Sequence, residues 1–287
     1  MLRPQRNRDS SRIRRPVPHE LKLKLETETS LIHPTAIVDS SARIPESCRI
    51  GPYCVIGPQV EMGEDCELMA HVVLHGPTRM GRGNRIYPFA AVGIDPQDIS
   101  YRGEPTRLEM GNDNTIREYV TINRGTVKGG GVTRIGNGIL IMAYTHIGHD
   151  CVIGDHVMLV NAATLAGHVT VEEWAVVGAL CPVHQFVRIG AHSYIGGGTT
   201  ITQDVLPFSK TSAARENRAY GLNSVGLKRR GFSEERLRKL HHAYKVLLAS
   251  KLNTSQALER LKAEGEVGPD VEMLIRFVES SERGVIK

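Results

Sequence analysis

The chain has 287 residues, 40% hydrophobic but only 5% aromatic, with a single Trp, so a sizeable core is available and it must be aliphatic. A net charge of +5 suits an acidic partner. No apolar run approaches the ~18 residues of a membrane span, which excludes stable membrane insertion, and nothing in the pattern calls for nucleic acid. The five cysteines (Cys48, Cys54, Cys66, Cys151, Cys181) lack metal-site spacing, and their odd number argues against a disulfide framework and for a reducing, cytoplasmic setting.

Residues 1–24 read as a disordered basic tail, with Arg3, Arg6, Arg8, Arg12, Arg14 and Arg15 and no apolar segment of a secretory signal. From 25 to 207 an aliphatic residue recurs at every sixth position, for example Ile44, Ile50, Ile56, Met62, Leu68 and Leu74, and again Ile135, Ile141, Ile147, Ile153, Leu159 and Leu165. A second column two residues earlier is small or β-branched and contains all five cysteines, which therefore read as core thiols. A period of six predicts short straight segments with tight corners, three to a coil, coils stacking about 4.8 Å apart. This is a mainly β fold, a parallel β-helix of hexapeptide repeats, with Gly at corners or close approaches. Two polar stretches, 93–109 and 123–134, interrupt the register and are expected to be ejected as loops, where function concentrates.

After Pro207 the pattern becomes helical, so 208–287 is expected to form a small C-terminal α-helical domain. Ser233 suits an N-cap before Glu234 and Glu235, Asn253 and Gln256 have capping-box spacing, Gly265 a helix end, and Pro269 a helix start.

An eighteen-residue coil converts sequence offsets into geometry. His149 falls beneath Gly167 and Gly167 beneath Gln185, while Asp150 falls beneath His168. His146, His149, His168 and His184 thus gather into one patch, whereas His156 and His192 read as isolated surface residues. Imidazole can serve as a general base near neutral pH, Asp150 can orient His149 if a corner intervenes between them, and the Gly167 N–H can stabilise an oxyanion. The rival reading of the histidines is a zinc site, as in hexapeptide-repeat carbonic anhydrases.

The segments QDISYRGEPT, INRGTVKGGG, HIGHDC, NAATLAGHV, VHQF and GLKRRGF, in this order from His33 onward, resemble the UDP-N-acetylglucosamine O-acyltransferases of lipid A biosynthesis. The resemblance implies a left-handed coil and a homotrimer with sites between adjacent prisms. It implies transfer of a 3-hydroxyacyl group from acyl carrier protein to the glucosamine 3-position of UDP-N-acetylglucosamine, without a cofactor or metal. His149 would be the base, Asp150 its partner and Gly167 the oxyanion donor. His146, His168, His184 and Gln185 would line the acceptor and acyl site, Gln97 and Asp98 would lie near the sugar, and Asn223, Arg229 and Arg230 near the diphosphate. Gly197 would leave an acyl groove open for long chains. Basic residues Arg236, Arg238, Lys239 and Lys245 would suit acidic acyl carrier protein. Two positions depart from the family pattern. Ser100 replaces a Lys, with Arg102 the nearest substitute cation, and Val225 replaces an acid. Acyl length and the choice between a 3-hydroxyl and a 3-amine acceptor stay open at this stage.

Overall fold

The computed structural model describes residues 31–212, 218–250 and 252–286. The expected tail 1–24, and residues 25–30 of the expected repeat region, lie outside them.

The aliphatic period of six folds as a left-handed parallel β-helix. Three parallel walls hold eight, seven and ten strands among the described residues. Register passes straight up each wall: Ile37 pairs with Val55, Val55 with Val73 and Val73 with Ala91. The aliphatic columns point inward and are buried from Ile50 to Ile201. Each cysteine fills the narrow column, and its thiol donates to the carbonyl fifteen residues on, as from Cys54 to Met69 (2.8 Å) and Cys151 to Ala166 (3.2 Å). Burial pushes the Cys151 thiol up to about 12, so it is a packing residue and not a nucleophile.

The corners differ from the sequence expectation in one respect. Most are turned by residues with side chains in the left-handed region, such as Tyr53, Tyr119, Asp150, His168 and Trp174 at φ 57–63°. The repeated glycines serve mainly close approach, for a Cβ on Gly148 would stand 2.9 Å from the Ala166 carbonyl carbon of the next coil.

Both excursions leave one corner, between the first and second walls. Their boundaries are tighter than 93–109 and 123–134. Ala91–Ile94 and Arg107–Met110 are wall strands, and so are Thr121–Asn123 and Val132–Ile135, leaving 95–106 and 124–131 outside the prism. Ile94 stays in the wall because it pairs with Asn123, and Gly93 bulges between paired residues with its carbonyl accepting from the Arg124 guanidinium.

Above the prism, the chain does not turn helical at once. Ser209–Ser212 adds in parallel to Tyr194–Ile195, and Arg218–Leu222 pairs antiparallel with it, extending the third wall. Four α-helices follow among the described residues: α1 (Ser224–Arg229), α2 (Glu234–Tyr244), which runs on into a π-helical turn at Lys245–Ala249, α3 (Thr254–Ala263) and α4 (Pro269–Glu279). Ser233 caps α2, a capping box of Asn253 and Gln256 opens α3, and Pro269 opens α4. Their apolar faces, including Leu237, Leu240, Leu261 and Leu274, form a second core with Leu206 and Phe208. The C-terminal end then returns to the prism, where Val285 bridges Asp204 and Ile286 joins the prism core. No helix of the described residues is long and apolar enough to cross a membrane.

His192 belongs to this joint and is not an isolated surface residue. It stacks between Trp174 and Phe208 and meets Phe232 edge-on, and its Nδ1 is buried without a hydrogen-bond partner in the protein. His156 is exposed, as expected, yet it too stacks on Trp174 (4.2 Å). Burial first, then the neighbouring Arg230, lowers His192 from 6.5 to about 4. The unfolded chain therefore binds this proton near pH 6.5 and the native chain only near 4. Stability contributed by keeping the ring neutral is complete above pH 6.5 and is lost as the pH falls toward 4. Discounted for partial exposure, the effect is of order 1–2 kcal/mol. Chemical denaturation at pH 7 and pH 5 checks this. His192→Phe keeps the stack and should lose less stability between the two pH values than the parent chain, and an equal loss would dismiss the role of His192.

Candidate active site

The corner that ejects the excursions also carries the histidines. His146–Ile147, a strand of the first wall, leads through Gly148 and His149, and the chain turns at Asp150 with φ 61°. Adjacent strand residues would point apart, but the corner swings the carboxylate round until Oδ2 lies 2.8 Å from His149 Nδ1. The Asp150 side chain is 1% exposed. Thr126 supplies two further donors, its N–H to Oδ1 (2.7 Å) and its hydroxyl to Oδ2 (2.6 Å). The carboxylate accepts from the ring, so His149 carries its proton on Nδ1 and leaves Nε2 as the basic nitrogen.

Gly167 covers that ring from the next coil. A Cβ at Gly167 would stand 2.5 Å from His149 Cε1 and 2.7 Å from Nε2. The Gly167 N–H donates to no acceptor among the described residues. His168 meets His149 edge-on (5.1 Å between centroids), with Nε2 3.7 Å from Asp150 Oδ2 and Phe186 stacked on its face at 4.4 Å. His146 lies on the wall beside them, its Nδ1 2.7 Å from Thr121 Oγ1. Burial, followed by the charge of His149, holds His146 below the ordinary histidine value. Burial does the same for His168, with Asp150 opposing it. His184 and Gln185 are exposed at the same corner one coil above Gly167, and the His184 Nδ1–H donates to the Gln185 carbonyl (3.1 Å) instead of joining the other rings.

The excursions lie against this cluster. Asp98 Oδ1 accepts from the N–H (2.7 Å) and hydroxyl (2.8 Å) of Ser100, and these bonds, helped by Lys128 and His149, hold its carboxyl below the usual range. The charge of Asp98 also acts on His168, and Gln97 is exposed beside it. The cation that reaches Ser100 is Lys128 of the second excursion (2.8 Å), not Arg102, whose guanidinium turns onto the carbonyls of Ile99 (2.7 Å) and Tyr101 (2.9 Å). Buried Arg124 ties the roots together, donating to Gly93 O (2.7 Å) and Tyr101 Oη (3.1 Å) and pairing with Asp95.

His149, Asp150 and His168 have ligand atoms within 4.8 Å of one another, a spacing that a cation could bridge. Both Asp150 oxygens already accept from Thr126, and Oδ2 from His149 as well, so ligation would displace good hydrogen bonds. The donor set suits an oriented imidazole better than a metal centre.

Comparisons with known proteins give the family. Residues 204–286 match the model of the UDP N-acetylglucosamine O-acyltransferase domain 2, and residues 133–167 that of the bacterial transferase hexapeptide. An acyl-[acyl-carrier-protein]–UDP-N-acetylglucosamine O-acyltransferase of Alkalilimnicola ehrlichii is 49% identical over 199 residues, 69% of this chain and 77% of the relative. LpxA from Acinetobacter baumannii superposes with a TM-score of 0.86 at 43% identity, over 90% of this chain and 100% of that one. The UDP-N-acetylglucosamine acyltransferase of Francisella novicida gives the same TM-score, 0.86, at 40% identity, over 89% and 93%. The chain belongs to the acyl-[acyl-carrier-protein]–UDP-N-acetylglucosamine O-acyltransferase family. It is an acyltransferase.

The remaining expected residues stand elsewhere on the prism. Arg230 leans on the corner between the second and third walls, its Nη2 donating to Trp174 O (2.9 Å) and its guanidinium over the Trp174 ring. Asn223 caps α1 by accepting from Gly226 N and donates to His192 O (3.1 Å), so its side chain already has structural work, while Arg229 is exposed. One wall of about 15–20 Å separates that corner from His149 in a single chain. Gly197 is exposed at the far edge of the third wall, beside the next corner at Gly198. Sequence offsets missed Thr126, Thr121 and Thr133, which support Asp150 and His146, because the inserted loops break the eighteen-residue count below residue 135.

The tight cover over His149 makes Gly167→Ala a sharp probe. The added methyl must push the ring aside, which the fold tolerates because a side chain gives way before backbone does. Turnover should fall by about 10²-fold, the cost of a small misplacement of a reacting group, with the melting temperature nearly unchanged. Steady-state kinetics alongside thermal melting would expose the opposite result, an active Gly167→Ala enzyme.

Proposed function

We propose that this acyltransferase moves a 3-hydroxyacyl group from the thiol of acyl carrier protein to the 3-hydroxyl of UDP-N-acetylglucosamine in the cytoplasm, the opening step of lipid A synthesis. The names of its relatives support the substrates. The observation that carries the chemistry is the His149 ring, held through Nδ1 by a buried carboxylate and lying against Gly167 through its other edge. His149 Nε2 takes the proton of the sugar hydroxyl as its oxygen attacks the thioester carbonyl. The Gly167 N–H stabilises the oxyanion. The intermediate collapses to the ester, and the imidazolium returns its proton to the departing thiolate.

His146, His168, His184 and Gln185 line the acceptor and acyl side, with Gln97 and Asp98 of the first excursion near the sugar. Asn223, Arg229 and Arg230 serve the nucleotide. They stand on another corner of the same prism, which supports a homotrimer whose sites lie between neighbours, where one chain's His149 corner meets the next chain's Arg230 corner. Arg238 and Lys245 are exposed for acyl carrier protein; Arg236 is less suited, being bound by Asp270 at 2.7 and 2.8 Å.

His149→Ala should lower kcat by at least about 10²-fold while leaving assembly intact, and exhaustive chelation of the parent enzyme should change nothing. Near-normal turnover in the assembled mutant would exclude His149 as base. Loss on chelation restored by zinc would favour a metal mechanism.

Gly197 leaves the acyl path open, and each buried CH₂ adds about 0.8 kcal/mol, so long chains are favoured. A Cβ there would lie 3.2 Å from Ala179 O, close enough to need only a small adjustment, so Gly197→Met should fold. Its selectivity should move toward shorter chains in competition assays with mixed acyl carrier proteins. An unchanged profile would leave Gly197 as a corner residue only.

A further inference from the structure

We infer that the second excursion acts as a clamp on the carboxylate of Asp150, and that Thr126 and Gly129 are positioning residues for the acyl transfer. The inference deepens the reading of His149 as base and rests on it. A carboxylate on a single-bonded stem rotates broadly about χ2, so one contact to His149 would not fix its plane. Thr126 removes that freedom by donating to both oxygens at once, N–H to Oδ1 (2.7 Å) and hydroxyl to Oδ2 (2.6 Å). The backbone of Asp150 is held as well, its N–H donating to Thr133 Oγ1 (2.8 Å) while the residue turns the corner at φ 61°.

Gly129 closes the other side. A Cβ there would stand 2.1 Å from the Asp150 carboxyl carbon and 2.3 and 2.5 Å from its oxygens, so only glycine lets the loop lie flat on this group. Thr126 also caps the short turn Val127–Gly129, accepting from Gly129 N (3.2 Å). The same turn sends Lys128 to Ser100 in the first excursion (2.8 Å). Neither Thr126 nor Gly129 contacts the His149 ring by hydrogen bond, so their influence on the base passes through Asp150.

The test is a pair of double-mutant cycles on the full-length enzyme, with acyl carrier protein thioester and UDP-N-acetylglucosamine as substrates. Thr126→Val removes the hydroxyl donor, and Gly129→Ala displaces the carboxylate without touching that donor. Each should lower kcat by roughly 10- to 100-fold, with KM for both substrates within about threefold. Thr126→Ser, which keeps both donors, should restore most of the turnover. In an Asp150→Asn background neither change should cost anything further, because the group they position is already lost. Losses that multiply with Asp150→Asn, or a raised KM with unchanged kcat, would overturn the clamp and assign the loop to substrate binding. A Thr126→Val chain that fails to fold leaves Gly129→Ala and Thr126→Ser to decide on the same criteria. A His149→Ala enzyme with normal turnover would instead remove the base itself, an outcome separable from failure of the clamp.

Discussion

Stacking of each coil on the next is the constraint from which the rest of the molecule follows. Every wall residue bonds to its counterpart in the coils above and below, as Thr121 pairs with Ala91 beneath it and His146 above it. The spacing is set by the parallel ladder at about 4.8 Å, so any side chain in a column must fit against its own column neighbours. Inside, that selects aliphatic residues and thiols. Outside, it builds stacked ladders such as Tyr53, His71, Phe89, Tyr119 and Tyr144, with ring centroids 4.9–5.0 Å apart. Walls therefore take little insertion, a single bulged residue as at Gly93. Extra residues leave at corners, and both excursions use the same corner, one coil apart.

That shared exit makes the candidate site. Residues 95–106 and 124–131 have no ladder of their own, so they lean on local bonds and on the prism corner they cover, although Thr106 Oγ1 and Arg124 Nε stay buried without a partner in the protein. Arg124 at the root serves Gly93 O, Tyr101 Oη and Asp95 and reaches His75 Nδ1, and Thr126 donates to the buried carboxylate of Asp150. The buried charge of Asp150 and the polar loops thus answer each other's unmet hydrogen bonds. A carboxylate buried here without Thr126 and His149 would be costly; with them it fixes the His149 ring.

Much of this was legible in the sequence because a six-residue period leaves few alternatives. The inward columns, the burial of all five cysteines and the stacking of Gly167 on His149 follow from counting eighteen. Counting fails where the chain leaves the prism. The excursion boundaries shrank by several residues because ladder pairing holds residues of stretches whose composition looks loop-like, such as Ile94 and Arg107. Thr126 was invisible because no offset relates a loop residue to the coil above. His192 was misread for a different reason. Its column ends beneath Phe208 and Phe232, which belong to the second core, and a repeat-based reading sees no roof. The strands Ser209–Ser212 and Arg218–Leu222 were likewise hidden, since they continue the third wall without its six-residue spacing.

The corner position also explains why the histidine pair is rigid enough to matter. Asp150 and His168 both occupy left-handed backbone, φ 61° and 63°, a conformation that costs a residue with a side chain of order 1 kcal/mol. It persists because the strands on either side are fixed by their ladders. His168 N donates to His149 O across adjacent coils, and Phe186 N to Gly167 O one coil higher, so each corner is held by the one below it. A side chain projecting from such a corner inherits its direction from backbone that cannot relax without unpairing two walls. On a wall, by contrast, a histidine would be flanked at about 4.8 Å by column neighbours and could present only its edge. At the corner, His149 has a carboxylate on one nitrogen and a glycine against the other edge of its ring, an arrangement that only the turn of the coil makes available.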